Sequence, residues 1–484
     1  MMLVGIDVGT QSLKVVVTDK TMRICGEAAV AYQPVYPLAG WAEQDPNLWL
    51  NALQPTIAKA LERAGSKAAD VSALAVSGQL DGCIGVNSHG EPIGPAIIWM
   101  DRRAAESMAG IDAEAVAKRA GLVPDASHMA AKIQWNLKHN ENARKAAAWH
   151  QPTSFMVEAL TGSRVIDHCL ASTTMLYNLS SQSWDDALLW SFGIDGNTLP
   201  VISDTAKTAG SLSAKGAALT GLPKGLPVAV GTGDDFATLL GCGISSPGTL
   251  AISIGTGEII GALSDKLVID PGQLVETHAF PTGHFHLGNP GWLSGGAIRW
   301  FLSTFSVHDD TEFSALAAQA PPGSDGLLFI PALTGAMAPV WVANARGTFY
   351  GLTTAHSKAH LARALLEGTA FAMRDVIDRL TALGVQTGSI RIMGGGSKSH
   401  VWMKIRADVM GRAVDVAETS DASALGAAII AAVVAGIYPD LRSATAALKI
   451  PRHTIAPDRG KYDLYNEAYG QYRKLFAALL PLYN

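Results

Sequence analysis

The chain alternates short, densely apolar runs with turns built from glycine and one or two carboxylates. "MMLVGID" (1–7), "LKVVVTD" (13–19) and "ICGEAAVAYQP" (24–34) have the apolar density of buried strands, and they predict three strands at the start. A helix is predicted over 47–63, where "NLWLNALQPTIAKALER" follows the start signal Asp45-Pro46. "VSALAVSG" (71–78) reads as a further buried strand, and 93–106 as a strand that passes through Asp101 into a helix. Alternation of this kind indicates an α/β architecture.

The pattern then echoes itself. "LPVAVGTGDDFATLLGCG" (226–243) reads strand, glycine turn, Asp234-Asp235, helix. "PGTLAISIGTGEIIGAL" (247–263) repeats the opening strand–turn–strand about 245 residues further on. Two related lobes follow, 1–245 and 246–484, with the boundary near 244–248. Nothing recurs at the period of a solenoid, about 20–50 residues. Late in the chain, 389–411 reads strand, triple glycine, helix. "DASALGAAIIAAVVAG" reads as a helix with Asp421 as its N-cap. A final amphipathic helix over about 461–480 carries Tyr462, Tyr465, Tyr469, Tyr472, Leu475 and Leu479 at helical spacing, which is a packing face and a candidate to pack back across the lobes.

Composition narrows the class. The 484 residues are 48 % hydrophobic and 16 % charged, which suits large folded cores and excludes disorder. A net charge of -5 without a basic block gives no case for nucleic acid. Cys25, Cys83, Cys169 and Cys242 are far apart, so neither a disulfide framework nor a zinc site is expected. The most apolar segment, 424–438, has 15 residues, short of the roughly 18 that a membrane span requires. The expectation is a cytoplasmic enzyme with no membrane and no nucleic-acid partner.

Three glycine turns are candidates for phosphate: Gly9-Thr10, Gly255-Thr256-Gly257 and Gly394-Gly395-Gly396. Backbone N–H groups in such turns can converge on an anion. Neither a P-loop nor a complete dinucleotide-binding fingerprint is present. Asp7 closes a strand beside the first turn. A carboxylate next to phosphate requires a cation between them, and Mg²⁺ fills that place, often through water. Spacing alone leaves two readings of Asp7 open, a cap for the turn or a metal site. Of Asp234 and Asp235, one could cap the following helix and the other accept a proton from a substrate hydroxyl.

"GIDVGTQSLKVVV", "GTGDDFATLLGCG", "ISIGTG" and "GGGSKSHVWMKIRAD" occur in the order found in the FGGY family of carbohydrate kinases, and "GTFYGL" with 360–378 resembles the stretch around that family's C-terminal signature. Within the family the chain most resembles xylulokinases, through "WAEQDPNLWL" (41–50), "SGQLDG" (77–82) and "WMDRR" (99–103). The resemblance implies two ribonuclease-H-like lobes, as in actin-like and hexokinase-like ATPases, with sugar and ATP in an interlobe cleft. It implies that Asp234 is the base on a primary hydroxyl of an open-chain sugar such as D-xylulose. It places Gln79, Leu80, Asp81, Trp99, Asp101, Arg103, Asp234 and Asp235 at the sugar. Thr10, Gln11, Ser12, Lys14, Gly255, Thr256, Gly257, Gly395, Gly396 and Ser399 fall to ATP, and Asp7 to Mg²⁺. Relatives of this kind are commonly dimers, so a homodimer is expected.

Several positions depart from the xylulokinase pattern. Asp81 stands where His is usual, and an acceptor-only carboxylate binds hydroxyls differently from an imidazole. "GAMAP" (335–339) lacks a Glu-Arg pair, and Thr153-Ser154-Phe155 replaces a Lys-Asp-Tyr segment. Asp235 replaces a common Asn, Glu258 a small residue, and Lys404 a Gln. The phosphoryl-transfer frame is therefore intact while the sugar side differs. Two alternatives stand beside the ketopentose reading: a kinase of another ketose or polyol, and a catalytically poor sugar sensor on the same fold. Retention of Asp234 opposes the sensor, since a binder has no use for a base.

Overall fold

Strands β1 (Met2–Val8) and β2 (Ser12–Asp19) pair antiparallel in the computed structural model of the chain, with Asp7 opposite Lys14 and Val8 opposite Leu13. The structure describes residues 1–419 and 421–483. β3 (Ile24–Ala31) continues the meander, and helix α1 (Pro46–Arg63) covers it, its N-terminus capped by the Asp45 carboxylate accepting from Asn47 N–H. β4 (Val71–Gly78) runs parallel to β1 and brings Ser77 beside Asp7. β5 (Thr208–Ser211), β6 (Pro227–Ala229) and β7 (Thr232–Gly233) follow, and the chain then enters helix α2 (Asp234–Gly241). The sheet order is β5-β6-β4-β1-β2-β3, with β7 paired to the end of β4.

Leu3, Val4, Ile6, Val8, Leu13, Val15, Val16 and Val17 are completely buried. Both faces of β1 and β2 are covered, which is why their sequences read as continuous apolar runs. Each such side chain contributes about 1.5–3 kcal/mol of burial free energy. Residues 93–106 depart from expectation: only Ala96–Ile97 is strand, and Arg103–Met108 is a 3₁₀ turn instead of an α-helix. The Asp101 carboxylate accepts from the N–H groups of both Ala42 and Arg103, which holds the segment in a turn.

The second unit opens with the antiparallel pair β8 (Thr249–Ile254) and β9 (Glu258–Ser264). Helix α3 (Lys358–Ala382), β10 (Ser389–Met393), helix α4 (His400–Met410) and β11 (Val414–Ala417) come next. Helix α5 (Ala422–Val434) intervenes before β12 (Arg452–Ile455) and helix α6 (Tyr462–Leu479). The central strands run β9-β8-β10-β11-β12, so a hairpin again leads into parallel strands.

Contacts divide the chain into two units, and the division is not a single cut. The first unit holds 1–246 together with 277–285 and 421–449; the rest forms the second. Residues 421–449, which sequence order assigns to the second lobe, pack on the first sheet instead. Gly5 explains the choice: a Cβ there would stand 2.0 Å from the Ala424 carbonyl oxygen, so α5 lies directly on β1. α2 and α5 meet in the same way, through Gly241 against Ala422 and Gly426 against Ala237. α6 makes its packing face inside the second unit, where Tyr465, Tyr469 and Tyr472 bury themselves around Phe371 of α3. Among the described residues, no helix is long and apolar enough to cross a membrane.

Candidate active site

In the first unit the carboxyl ends of β1, β4 and β7 converge, the place where open α/β sheets hold ligands. Asp7 ends β1 and is 8 % exposed. Its Oδ1 accepts from Ser423 Oγ at 2.9 Å and from Ser77 Oγ at 3.3 Å. Ser423 lies in the first turn of α5, whose N-terminal dipole favours a carboxylate. Burial still dominates and pushes the Asp7 carboxyl up to about 6, with Ser423, Lys14 and Ser77 offsetting part of the rise. Lys14, opposite Asp7 in the ladder, sends its ammonium to Asp421 at 2.7 Å. Asp421 stands at the N-cap of α5 as expected, and its carbonyl accepts from Leu425 N–H, but its side chain makes no capping hydrogen bond.

Asp234 is the first residue of α2, so its carboxylate sits at the positive end of that helix. Its Oδ1 accepts from the Asp235 N–H at 3.0 Å. Gly233 occupies the cap position, and neither aspartate caps the helix by its side chain. Burial, then the Asp235 and Asp7 carboxylates, push the Asp234 carboxyl well above the usual range. Burial and the charges of Asp81 and Asp7 raise Asp235 to about 6. Among the described residues, no three His, Cys, Asp or Glu side chains are grouped to chelate a metal by themselves.

Thr10, Gln79 and Trp99 form one string. Trp99 Nε1 donates to Thr10 Oγ1 at 3.0 Å, and Thr10 Oγ1 donates to Gln79 Oε1 at 3.2 Å. Gln44, which the sequence did not single out, closes the loop by donating to the Thr10 carbonyl at 2.7 Å and accepting from Gln79 Nε2 at 2.7 Å. The expected phosphate and sugar residues of this lobe are thus hydrogen-bonded neighbours. Trp99 is 44 % exposed. Gln11 is exposed and gives its carbonyl to Tyr32 N–H, and the Ser12 carbonyl accepts from Gly9 N–H at 3.0 Å to close the turn. Leu80 packs over Gly233, where a Cβ would stand 2.1 Å from Leu80 Cδ2.

Asp101 and Arg103 answer differently from the expected sugar contact. The Arg103 guanidinium is bound to Asp101 and to Glu43 (2.7 Å) and stacks 3.6 Å over the Trp41 ring, with its side chain 3 % exposed. Asp101 is completely buried and spends its oxygens on Ala42 N–H and Arg103. The pair holds the 41–44 and 96–103 segments together. Asp81 has a left-handed backbone (φ 57°), and buried Lys132, Gln151 and His128 surround it. Nothing in the sequence pattern marks those three, because they come from segments 47–70 residues away.

In the second unit the two remaining glycine turns lie against each other. Gly255 N–H donates to the Gly257 carbonyl at 2.8 Å. Gly394 (φ 90°) and Gly396 both close on Ile254, where added Cβ atoms would stand 2.5 Å and 2.4 Å away, while Gly395 faces open space. Ser294 and Gly296 N–H groups donate to the Thr256 carbonyl at 3.1 and 2.9 Å. "GNPGWLSGG" (288–296) is therefore a further part of this site, and its glycines were the available signal. Ser399 Oγ serves as the N-cap of α4 and bonds Ser314. Glu258, the departure after the turn, is fully buried in a bidentate pair with Arg406 at 2.6 and 2.5 Å, and accepts from Ser294 Oγ. Lys404 pairs with Asp408 on its own helix.

Each unit thus carries a strand–turn–strand of the same build, and the first adds a half-buried aspartate pair at a helix start. Residues 2–241 match the N-terminal domain of the FGGY family of carbohydrate kinases, and residues 250–435 match its C-terminal domain. The chain belongs to this family. The first match carries Asp7, Asp81 and Asp234, and the second carries all of the second-unit turns. The glycerol kinase of Thermococcus onnurineus is 30 % identical over 450 residues, covering 91 % of this chain and 90 % of that protein. The xylulose kinase of Escherichia coli is 28 % identical over 489 residues, covering 99 % and 100 %. The crystal structure of xylulose kinase from Rhodospirillum rubrum superposes with a TM-score of 0.92 at 29 % identity over the full length of both chains. The fold is thus the two-lobed α/β fold of FGGY kinases.

Proposed function

We propose that this FGGY kinase transfers the terminal phosphoryl group of ATP to a primary hydroxyl of an open-chain sugar, a ketopentose such as D-xylulose. The observation that carries the reading is Asp234: a half-buried carboxylate at a helix start, accepting from the adjacent N–H and raised by desolvation and then by the Asp235 and Asp7 carboxylates. A carboxylate so placed, with its affinity for a proton raised, can accept one from a hydroxyl. Asp234 takes that proton as the hydroxyl oxygen attacks phosphorus. Gln79, Asp81, Trp99 and Asp235 orient the acceptor; Leu80 packs beside them, and Asp101 with Arg103 fixes the segment that carries Trp99. The Gly255–Gly257 turn and Thr10 meet the phosphates, and Gly395-Gly396 flanks the nucleoside. Gln11, Ser12, Lys14 and Ser399 support these turns.

Positioning and charge neutralisation supply most of the rate in such transfers. The donor set fits a divalent cation held by one carboxylate with water completing its shell: Asp7 is buried and raised by desolvation, with Oδ2 outside its serine hydrogen bonds. Mg²⁺ bound there with ATP would neutralise phosphate charge. Asp234→Ala should lower turnover by about 10²–10⁴-fold or more while leaving nucleotide binding intact, measured by coupled ADP release and by ADP titration. Near-normal turnover would overturn the assignment.

A second acceptor class has its own support. Asp81 in place of an imidazole suits a polyol, and glycerol kinases stand among the relatives. An ADP-release screen over pentuloses, hexuloses, tetritols, pentitols and glycerol decides between them: the ketopentose reading requires the highest kcat/KM on a pentulose. A flat background for every acceptor would leave only the sensor.

A further inference from the structure

Asp81 is held more elaborately than its neighbours. Its backbone is left-handed (φ 57°), a conformation uncommon outside glycine although aspartate is among the residues that tolerate it. Three side chains surround it. Gln151 Oε1 accepts from the Asp81 N–H at 2.9 Å, and Gln151 is itself anchored by donating to the Leu170 carbonyl and to Thr173 Oγ1. Lys132, with no exposed surface, donates its ammonium to the Asp81 carbonyl at 2.6 Å. His128 Nδ1 stands 3.3 Å from Asp81 Oδ2. Among the described residues, the other carboxylate oxygen, Oδ1, is buried and has no hydrogen-bond partner.

A buried lysine spent on a backbone carbonyl is costly, and so is an unpartnered carboxylate oxygen. Both costs fall on the same residue, which marks it as an acceptor preorganised for something that arrives later. A carboxylate oxygen can receive only an O–H or N–H; a carbonyl oxygen brought to it is repelled.

We propose that Lys132, Gln151 and His128 are positioning residues that fix Asp81 so that its free Oδ1 takes a hydroxyl of the phosphoryl acceptor. This rests on the reading that Asp81 lies at the acceptor. Lys132 acts through Asp81 and touches no substrate. It should therefore affect the acceptor and leave the nucleotide alone.

The test is a cycle of Lys132→Met, Asp81→Ala and the double variant, with kinetics on whichever acceptor gives the highest kcat/KM in the ADP-release screen. Lys132→Met should raise the KM of the preferred acceptor about tenfold or more, with a smaller change in kcat and none in the KM for ATP. In the Asp81→Ala background the same substitution should add nothing. Asp81→Asn, which keeps an acceptor oxygen, should lose less than Asp81→Ala, and Lys132→Arg should recover part of the affinity. Equal losses from Lys132→Met with and without Asp81, or a fall in thermal stability with unchanged acceptor KM, overturns the cradle. Unchanged acceptor kinetics in Asp81→Ala would instead overturn the placement of Asp81 at the acceptor. Gln151→Leu gives the same comparison should Lys132→Met fail to fold.

Discussion

Three carboxyl groups of the first unit, Asp7, Asp234 and Asp235, are raised chiefly by desolvation, and neighbouring carboxylates add to it: Asp421 at Asp7, Asp235 and Asp7 at Asp234, Asp81 and Asp7 at Asp235. A carboxyl whose folded pKa lies above its unfolded value binds more protons in the folded chain. Its contribution is therefore favourable below about 4 and is lost as pH rises to about 6, the reverse of a salt-bridged aspartate. Asp235→Asn should remove one such penalty, stabilising the protein by about 1–3 kcal/mol at pH 7.5 and by nothing near pH 4. Thermal melts at the two pH values check this; a gain that does not depend on pH contradicts it. Glu258 shows the limit of sequence at this scale. It stands out as a charge after a phosphate turn, and only Arg406, nearly 150 positions away, explains it as half of a buried ion pair. Arg103 is similar: "WMDRR" suggested a sugar contact, but Asp101, Glu43 and Trp41 together absorb the guanidinium.

At the scale of elements, strands and helices follow the local pattern closely where apolar runs are long. β1, β2, β3, α1, β4 and α4 fall where the runs place them, because a run buried on both sides carries its own signal. The 93–106 segment fails because Asp101 draws the chain into a turn, a side-chain effect that periodicity does not register. The α2–α5 contact was not legible in the local pattern: the small residues of 424–438 permit close helix packing but name no partner. Gly426 is one of its two tightest points, with Gly241, since a Cβ at either would stand 1.9 Å from a carbonyl oxygen of the other helix. Gly426→Ala should therefore destabilise the protein by about 1–3 kcal/mol despite alanine's better helix propensity, read as a lower urea midpoint at constant slope. An unchanged or higher midpoint would mean the helices separate at little cost.

For the molecule as a whole, the first unit is discontinuous, and α5 supplies both a cover for β1 and the Ser423 hydroxyl on Asp7. A fragment ending at residue 246 should thus lack cooperative thermal unfolding and bind a hydrophobic dye, and fusion of 421–449 through a linker should restore a sharp transition. A 1–246 fragment that melts cooperatively on its own would show that α5 is dispensable. By itself the sequence determined the α/β class, the duplicated strand–turn–strand and the order of the family motifs, and it singled out Asp7, Asp234 and the glycine turns as candidates. All of these are local patterns, written in contiguous residues. The tertiary structure alone decided which sheet claims 421–449, that Lys14 pairs with Asp421, that Glu258 meets Arg406, and that Lys132, Gln151 and His128 surround Asp81. Each of those joins residues far apart in the chain, and burial fixes the choice: a charge or a strained backbone kept from water must find its partner wherever packing brings one.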